Sequence, residues 1–423
     1  MKTVLCCFAS HRYLTDSELH RAFPEIKDRT SELWDEAYLV DESFDTSRLA
    51  CHADDLMIAL PMSGGVQPSI LSAAEYFRKI TVYAGYVKGS FSFELTQKML
   101  TANAAPAVMD VYAVLKRKHT HTSLAVNYRE LEARVKATRA VSELRSARLL
   151  AIGETEPWVI SATRDGELIR ERLGIELVRA RTEELRALYD VITPEEAKCR
   201  ADAWRLSACE IIEPTDEDIL NAARLEAAIL RLLEKYDADG AAIACFDLLS
   251  LGTTSCLGVS YVNTHTDLVI SCEGDLDSAI TMLLMKRLAR DSVWMANPNI
   301  QPDGTVNFVH CTAPTAASGK PCKYSLRSHH ESGIGVSTEV ELPENIKMTA
   351  CRISDGLSKM MVESCTGVRG EYEPSCRTQL KVTLESFEGY LKNALGCHTV
   401  FAFCDIKREL IYVAELLGIE VLS

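Results

Sequence analysis

The chain has 423 residues, an apolar fraction of 47% and a formal net charge of −14. That length exceeds what one hydrophobic core usually organises, about 250–300 residues, so two or three domains are expected. The acidic balance excludes a nucleic-acid surface, which rests on clustered Lys and Arg, and no stretch approaches the ~20 uninterrupted apolar residues of a membrane helix. Met1–Ala9 carries a lone positive charge and a short apolar run, and reads as a first β-strand rather than a signal peptide. The 15 cysteines are odd in number, form no Cys-x-x-Cys pair and are scattered through apolar segments. This usage points to reduced, buried thiols in a cytoplasm with little oxygen exposure, and it excludes a zinc or iron–sulfur site by spacing.

Three regions follow in chain order. In 1–147, Thr15-Asp16-Ser17-Glu18 forms a capping-box pattern, and Leu56–Leu60 and Ile80–Ala84 read as buried parallel strands. Residues 90–147 read as mostly helical with an interruption near Pro106, and the basic run Lys116-Arg117-Lys118-His119 reads as a helix end. In 148–290, the strand Leu149–Ile152 ends at Gly153, the strand Ile175–Val178 follows, and Thr215 opens an amphipathic helix to about Tyr236. Ala241–Phe246 reads as a further apolar strand and Asp275–Ala289 as a helix, so this region too predicts a parallel sheet. In 291–423, the runs Thr305–Val309, Ile346–Ile353, Met360–Val368 and Gln379–Leu384 alternate polar with apolar, which predicts antiparallel β-structure. Strand, helix and strand close the chain across Thr399–Leu422. The pattern is therefore α/β, with two parallel-sheet regions before an antiparallel, β-rich one.

Chemistry concentrates in Cys272-Glu273-Gly274-Asp275, in His310-Cys311-Thr312 and in His398, all beside expected strand ends. In doubly wound units ligands gather at the carboxyl ends of strands, where Glu273 falls. A carboxylate there also interacts with the helix dipole, worth about 0.3–1 kcal/mol, and Asp275 and Asp277 fit helix caps. His310 alone fits a hydrogen-bonded core residue equally well. Strand alternation turns one of His329 and His330 inward, and Gly396 gives His398 backbone freedom to aim into a cleft. Ser63-Gly64-Gly65 after a strand fits either a tight turn or a backbone cradle for a phosphate or sugar hydroxyl.

Together these segments resemble the L-fucose isomerase / L-arabinose isomerase superfamily, in its short fucose isomerase-like branch. The likeness is carried by Cys272–Asp275, Met295-Ala296-Asn297-Pro298, Phe308–Pro314, Ser328–Gly333, Cys376–Gln379 and Leu395-Gly396-Cys397-His398, with weaker likeness at Leu60–Val66 and Gly153–Trp158. The resemblance implies an α/β fold of two Rossmann-like parallel-sheet domains followed by a β-rich, antiparallel barrel-like domain, a homotrimer or homohexamer with inter-subunit sites, and a divalent metal, Mn²⁺ or Mg²⁺, held by a Glu, an Asp and a late His. Residue by residue these map to Glu273, to Asn297 in place of the Asp, and to His398. An amide is a neutral, weaker ligand, so either His310 completes the site or the metal chemistry differs.

The function expected is a cytoplasmic aldose–ketose isomerase acting on a small-molecule sugar through an ene-diol, with no nucleic-acid or membrane partner. Glu273, His310 and Asn297 are the catalytic candidates, and Glu273, Asn297 and His398 the metal ligands. Ser63, Gly64, Gly65, Arg327, His329, His330 and Arg377 are the substrate-binding candidates. The alternatives are an aldolase, lyase or transferase on a keto-sugar, phosphorylated or sulfonated, which Asn297 favours, and a non-catalytic sugar-binding protein.

Overall fold

The computed structural model describes residues 1–119 and 121–422. The chain divides into two compact units, Met1–Ser142 and Glu143–Ser423.

In the first unit five parallel strands lie in the order Glu36–Val40, Thr3–Phe8, Leu56–Pro61, Lys79–Tyr83, His121–Ala125. The strand Thr3–Phe8 is buried on both faces, which explains its unbroken apolar sequence. Leu5 and Cys7 pack in one cluster with Leu19, Ile26, Leu131 and Val135. Val4, Cys6 and Phe8 pack in another with Ile70, Ala73, Val108 and Val111. The capping box is formed, with the Thr15 side chain accepting from the Glu18 N–H and opening the helix Asp16–Arg29.

Two expectations for 90–147 change. The helical break falls at Asn103, whose φ of 63° separates the helices Phe93–Thr101 and Ala104–Lys118, while Pro106 sits in the second helix's first turn, where its missing N–H costs nothing. The strand His121–Ala125 interrupts the region expected to be mostly helical. Its polar His121-Thr122-Ser123 start suits a strand at a sheet edge, which has no continuous apolar run to announce it.

The second unit contains a parallel sheet in the order Val269–Ser271, Gly240–Ile243, Arg148–Ile152, Glu176–Ala180. The strand expected at Ala241–Phe246 stops at Ile243, because Cys245–Leu251 turns into a 3₁₀ helix. Six antiparallel strands then close a barrel: Lys347–Ser354, Thr399–Ala402, Val293–Ile300, Val306–His310, Thr378–Leu384 and Lys359–Val368, the last pairing back onto the first. The strand Val293–Ile300, which contains Asn297, has no alternation strong enough to mark it in the sequence.

The helix Leu276–Ala289 is buried almost all round. It packs against the parallel strands Gly240–Ile243 and Val269–Ser271 and against the barrel strands Val293–Ile300, Lys347–Ser354 and Thr399–Ala402. An apolar helix with no solvated stripe belongs between layers, and this one joins sheet to barrel. Leu284 is fully buried within it. Replacing it with Ala should destabilise the protein by about 2–5 kcal/mol, read as a lower urea midpoint in far-UV circular dichroism. A loss below about 0.5 kcal/mol would show that the helix is not packed on that side.

Candidate active site

The site begins where the strand Val269–Ser271 ends. Glu273 and Gly274 both take the left-handed conformation, with φ of 59° and 62°. The Gly274 N–H donates to the Ile243 carbonyl at 2.8 Å, extending the parallel ladder by one bond, and the Asp275 N–H turns back to the Cys272 carbonyl at 3.1 Å. Position 274 has no room for a side chain, since a Cβ would lie 2.7 Å from Thr155 Cα and 2.8 Å from the Glu154 carbonyl oxygen. The segment 154–158 is strapped over this turn: the Glu156 N–H donates to the Glu273 carbonyl at 3.0 Å, and Thr155 Oγ1 donates to that of Gly274 at 2.9 Å. Left-handed backbone is costly for a glutamate, about 1–2 kcal/mol, and such strain clusters at functional sites.

Asp275 is the N-cap of the buried helix, accepting from the Ser278 N–H at 3.1 Å. Its carboxylate does more. It receives Arg352 Nη1 at 3.0 Å, the Ser278 hydroxyl at 2.7 Å and His398 Nδ1 at 2.8 Å. Arg352, only 1% exposed, also donates to the His398 carbonyl at 3.0 Å and to the Leu395 carbonyl at 3.3 Å. His398 is thereby held from its ring and from its backbone. Its other ring nitrogen, Nε2, lies 3.2 Å from Glu273 Oε1. His310, at the end of the strand Val306–His310, meets His398 edge to face at 5.8 Å, and its Nδ1 is 2.7 Å from Thr312 Oγ1. One ligand atom from each of Glu273, His310 and His398 lies within 4.8 Å of the others.

The electrostatics sort these groups. Burial alone would raise the Asp275 carboxyl, but the Arg352 charge and the His398 contact hold it well below the usual carboxylate range. Glu273 is lowered in the same way, against burial, by His398 and by a hydrogen bond from Trp158. His398 is raised well above an ordinary histidine: burial opposes the charge, while Asp275, Cys397 and Glu273 favour it. Burial, then the neighbouring His398, pushes His310 down to about 3, so it is neutral. Asp277 is raised by burial, with its Oδ2 accepting from the Ser354 hydroxyl at 2.6 Å. Asp275 is thus paired with the permanent cation Arg352, while Glu273 lies against the raised His398, which supplies the second positive charge.

A second candidate group, Asp275, Cys397 and His398, also brings its ligand atoms within 4.8 Å. It does not fit a cation, because Arg352 already contacts both Asp275 oxygens, at 3.0 and 3.4 Å. The group of Glu273, His310 and His398 has no such competitor. It has a neutral imidazole in His310, and in Asp275 it has the outer carboxylate that fixes a ligating histidine through Nδ1.

Asn297 is half-buried on the barrel strand, paired with Val309, the residue before His310; the ladder joining Ala296 to Thr399 brings it level with His398. His329 and His330 do not alternate on a strand, since the strand Tyr324–Arg327 ends before them and the His329 N–H closes a turn onto the Ile334 carbonyl at 3.1 Å. Both are half-buried, and His329 stands edge to face with Phe246 at 5.9 Å. Arg377 holds the Ser328 carbonyl and hydroxyl at 2.9 and 3.0 Å. Arg327 is committed to ion pairs with Glu213 and Glu339. Ser63, Gly64 and Gly65 belong to the first unit and form a turn: the Ser63 hydroxyl is buried, accepts from the Ser10 N–H at 3.0 Å and donates to the Gly64 carbonyl at 3.0 Å.

Two site residues escaped sequence reasoning. Arg352 carried a signal, a guanidinium in the otherwise apolar stretch Met348–Ile353, which is costly unless paired. Trp158, whose indole N–H donates to Glu273 Oε2 at 2.7 Å, carried only the weak family likeness of the segment Gly153–Trp158. The cysteines divide as well. All 15 are free thiols, and Cys51, Cys199, Cys209 and Cys397 are exposed, contrary to the expectation of general burial.

No family model matches the chain. Over 301 residues it is 21% identical to the sulfoquinovose isomerases of Priestia aryabhattai and Priestia megaterium. The matched region is 68% of this chain and spans 66% of each relative's length. Among the described residues, no helix is long and apolar enough to cross a membrane.

Replacing Asp275 with Asn should destabilise the fold by about 3–5 kcal/mol, because it leaves Arg352 buried without its counter-charge. Urea denaturation of D275N measures this, and a loss under about 1 kcal/mol would mean that the pair does not organise the site.

Proposed function

We propose that this protein is an aldose–ketose isomerase dependent on a divalent cation, and that sulfoquinovose is the first aldose to test. The convergence of Glu273, His310 and His398, with one ligand atom of each within 4.8 Å of the others, carries the reading. The distant likeness to sulfoquinovose isomerases supports the reaction class, and the segments similar to the fucose isomerase-like branch fall on the same residues. A carboxylate with two imidazoles suits Mn²⁺ better than Mg²⁺, which favours oxygen ligands.

Glu273, His310 and His398 would hold the cation, with Asn297 the neighbouring amide. When bound, the cation supplies Lewis-acid polarisation of the sugar O1 and O2 and positive charge for the oxyanion that develops there. Asp275 keeps the proton of His398 on Nδ1 and so directs Nε2 inward. Thr312 occupies His310 Nδ1, which leaves Nε2 as its ligand atom. Glu273 divides its oxygens, Oε1 toward His398 and Oε2 toward Trp158. Its Oε2 takes the C2 proton while the O2 hydroxyl proton passes to O1, giving the enediolate; Oε2 then delivers its proton to C1, and C2–O2 becomes the carbonyl of the ketose.

Incubation with sulfoquinovose, D-glucose and L-fucose in D₂O should place deuterium at C2 of the accepted aldose, and E273Q should lower that rate by at least about 10²-fold. Near-normal turnover by E273Q removes the proposed base. Exchange without a ketose product favours the aldolase, lyase or transferase reading that Asn297 suggests. Elemental analysis after Mn²⁺ reconstitution should find about one metal per chain, and D275N should weaken it about 10–100-fold. Less than about 0.2 metal per chain would count against the metal-assisted route.

A further inference from the structure

Trp158 is the exception among the tryptophans of this protein. Trp34 is half-buried and Trp204 and Trp294 are core residues at 3% and 1% exposure, whereas Trp158 is 54% exposed, a large apolar ring left open beside the half-buried Glu273 carboxylate. Its indole N–H donates to Glu273 Oε2 at 2.7 Å. The ring stands edge to face with Phe246 at 5.1 Å, and Phe246 stands likewise with His329 at 5.9 Å, so three rings line up next to Glu273.

This row is fastened to the carboxylate from two sides. The segment carrying Trp158 is strapped to the Glu273–Gly274 turn by the Glu156 N–H and the Thr155 hydroxyl. Phe246 follows Cys245, whose Sγ accepts the Glu273 N–H at 3.4 Å. The spacing between indole and carboxylate is thus built into the backbone and does not depend on one flexible side chain.

From this geometry we infer that Trp158 forms a sugar-binding subsite, with its open ring face stacking on the C–H face of the aldose and its N–H fixing which Glu273 oxygen meets C2. A sugar presents apolar C–H groups on one side and hydroxyls on its edges. An aromatic face beside an oxygen-rich centre matches both, and the indole alone among side chains offers that face together with a donor-only N–H. Trp158 acts on the reaction by positioning Glu273. The inference rests on the isomerase reading for the identity of its ligand, while its readout is binding.

The experiment uses the full chain loaded with Mn²⁺, with sulfoquinovose, D-glucose and L-fucose as probes. Tryptophan emission should change saturably with the bound sugar in the wild type, and that change should vanish in W158F. Calorimetric affinity should fall no more than about threefold in W158F, which keeps a ring, and at least about tenfold in W158A, which does not. If the sugar turns over, W158F should lower kcat about tenfold with KM nearly constant, since only the orientation of the carboxylate is lost. Emission unmoved by a saturating sugar, W158A binding within twofold of wild type, or no binding of any probe each overturns the subsite. Saturable binding at Trp158 without turnover supports it and removes the isomerase reading; turnover with an indifferent W158A does the reverse. Because the ring is more than half exposed, circular dichroism should give both variants the wild-type fold.

Discussion

The Asp275 carboxylate organises this site. It is fully buried, caps the helix Leu276–Ala289, neutralises Arg352 and receives His398 Nδ1. A buried ion pair is a weak source of net stability, because desolvating both charges offsets their attraction. Its effect here is geometric. With both Asp275 oxygens occupied and the His398 carbonyl bound to Arg352, the imidazole has one orientation, and Nε2 faces Glu273. Local charge balance follows from the same contacts. Arg352 answers the Asp275 carboxylate, and the demand of the Glu273 carboxylate for positive charge is met by the raised His398.

The architecture explains why the demand arises there. Glu273 ends a strand of the parallel sheet, while His310 and His398 flank strands of the barrel, and the helix buried between them holds the two layers in register. Neither layer contains the ligand group by itself. The left-handed backbone at Glu273 and Gly274 turns the chain sharply enough for one residue to offer its carboxylate to the barrel and the next to continue the sheet ladder. Gly274 is required by the approach of Thr155, so turn and strap are two halves of one fitting.

The donor set differs from the one the superfamily resemblance implies. Asn297 stands where an Asp is expected, level with His398 along the barrel strand, and the acidic position is not restored by any substitution within that strand. The candidate group of Glu273 and His398 includes instead the buried, neutral imidazole of His310. Exchanging a carboxylate for an imidazole lowers the negative charge around a cation by one, which weakens its hold on hard ions and shifts preference toward ions that accept nitrogen.

Patterns carried by neighbouring residues were legible in the sequence. The unbroken apolar runs at Leu56 and Leu149 announced parallel strands, Thr15 announced its helix through a capping box, the amphipathic pattern after Thr215 announced another, and alternation announced the barrel strands beginning at Lys347 and Thr378. Period and cap are local properties, set by how a side chain meets its own backbone and one layer of neighbours. The edge strand His121–Ala125, the turn at His329 and the strand bearing Asn297 were not legible, because their conformation depends on partners far along the chain. The same holds for the centre of the site. Sequence alone marked Glu273, His310 and His398 as candidates by their places near strand ends. Only the tertiary fold decided that Asp275 would orient His398, that Arg352 would lie beneath it and that Trp158 would reach Glu273, since each contact joins residues more than 70 positions apart. Barrel closure and helix burial bring them together, and nothing in their local sequence could.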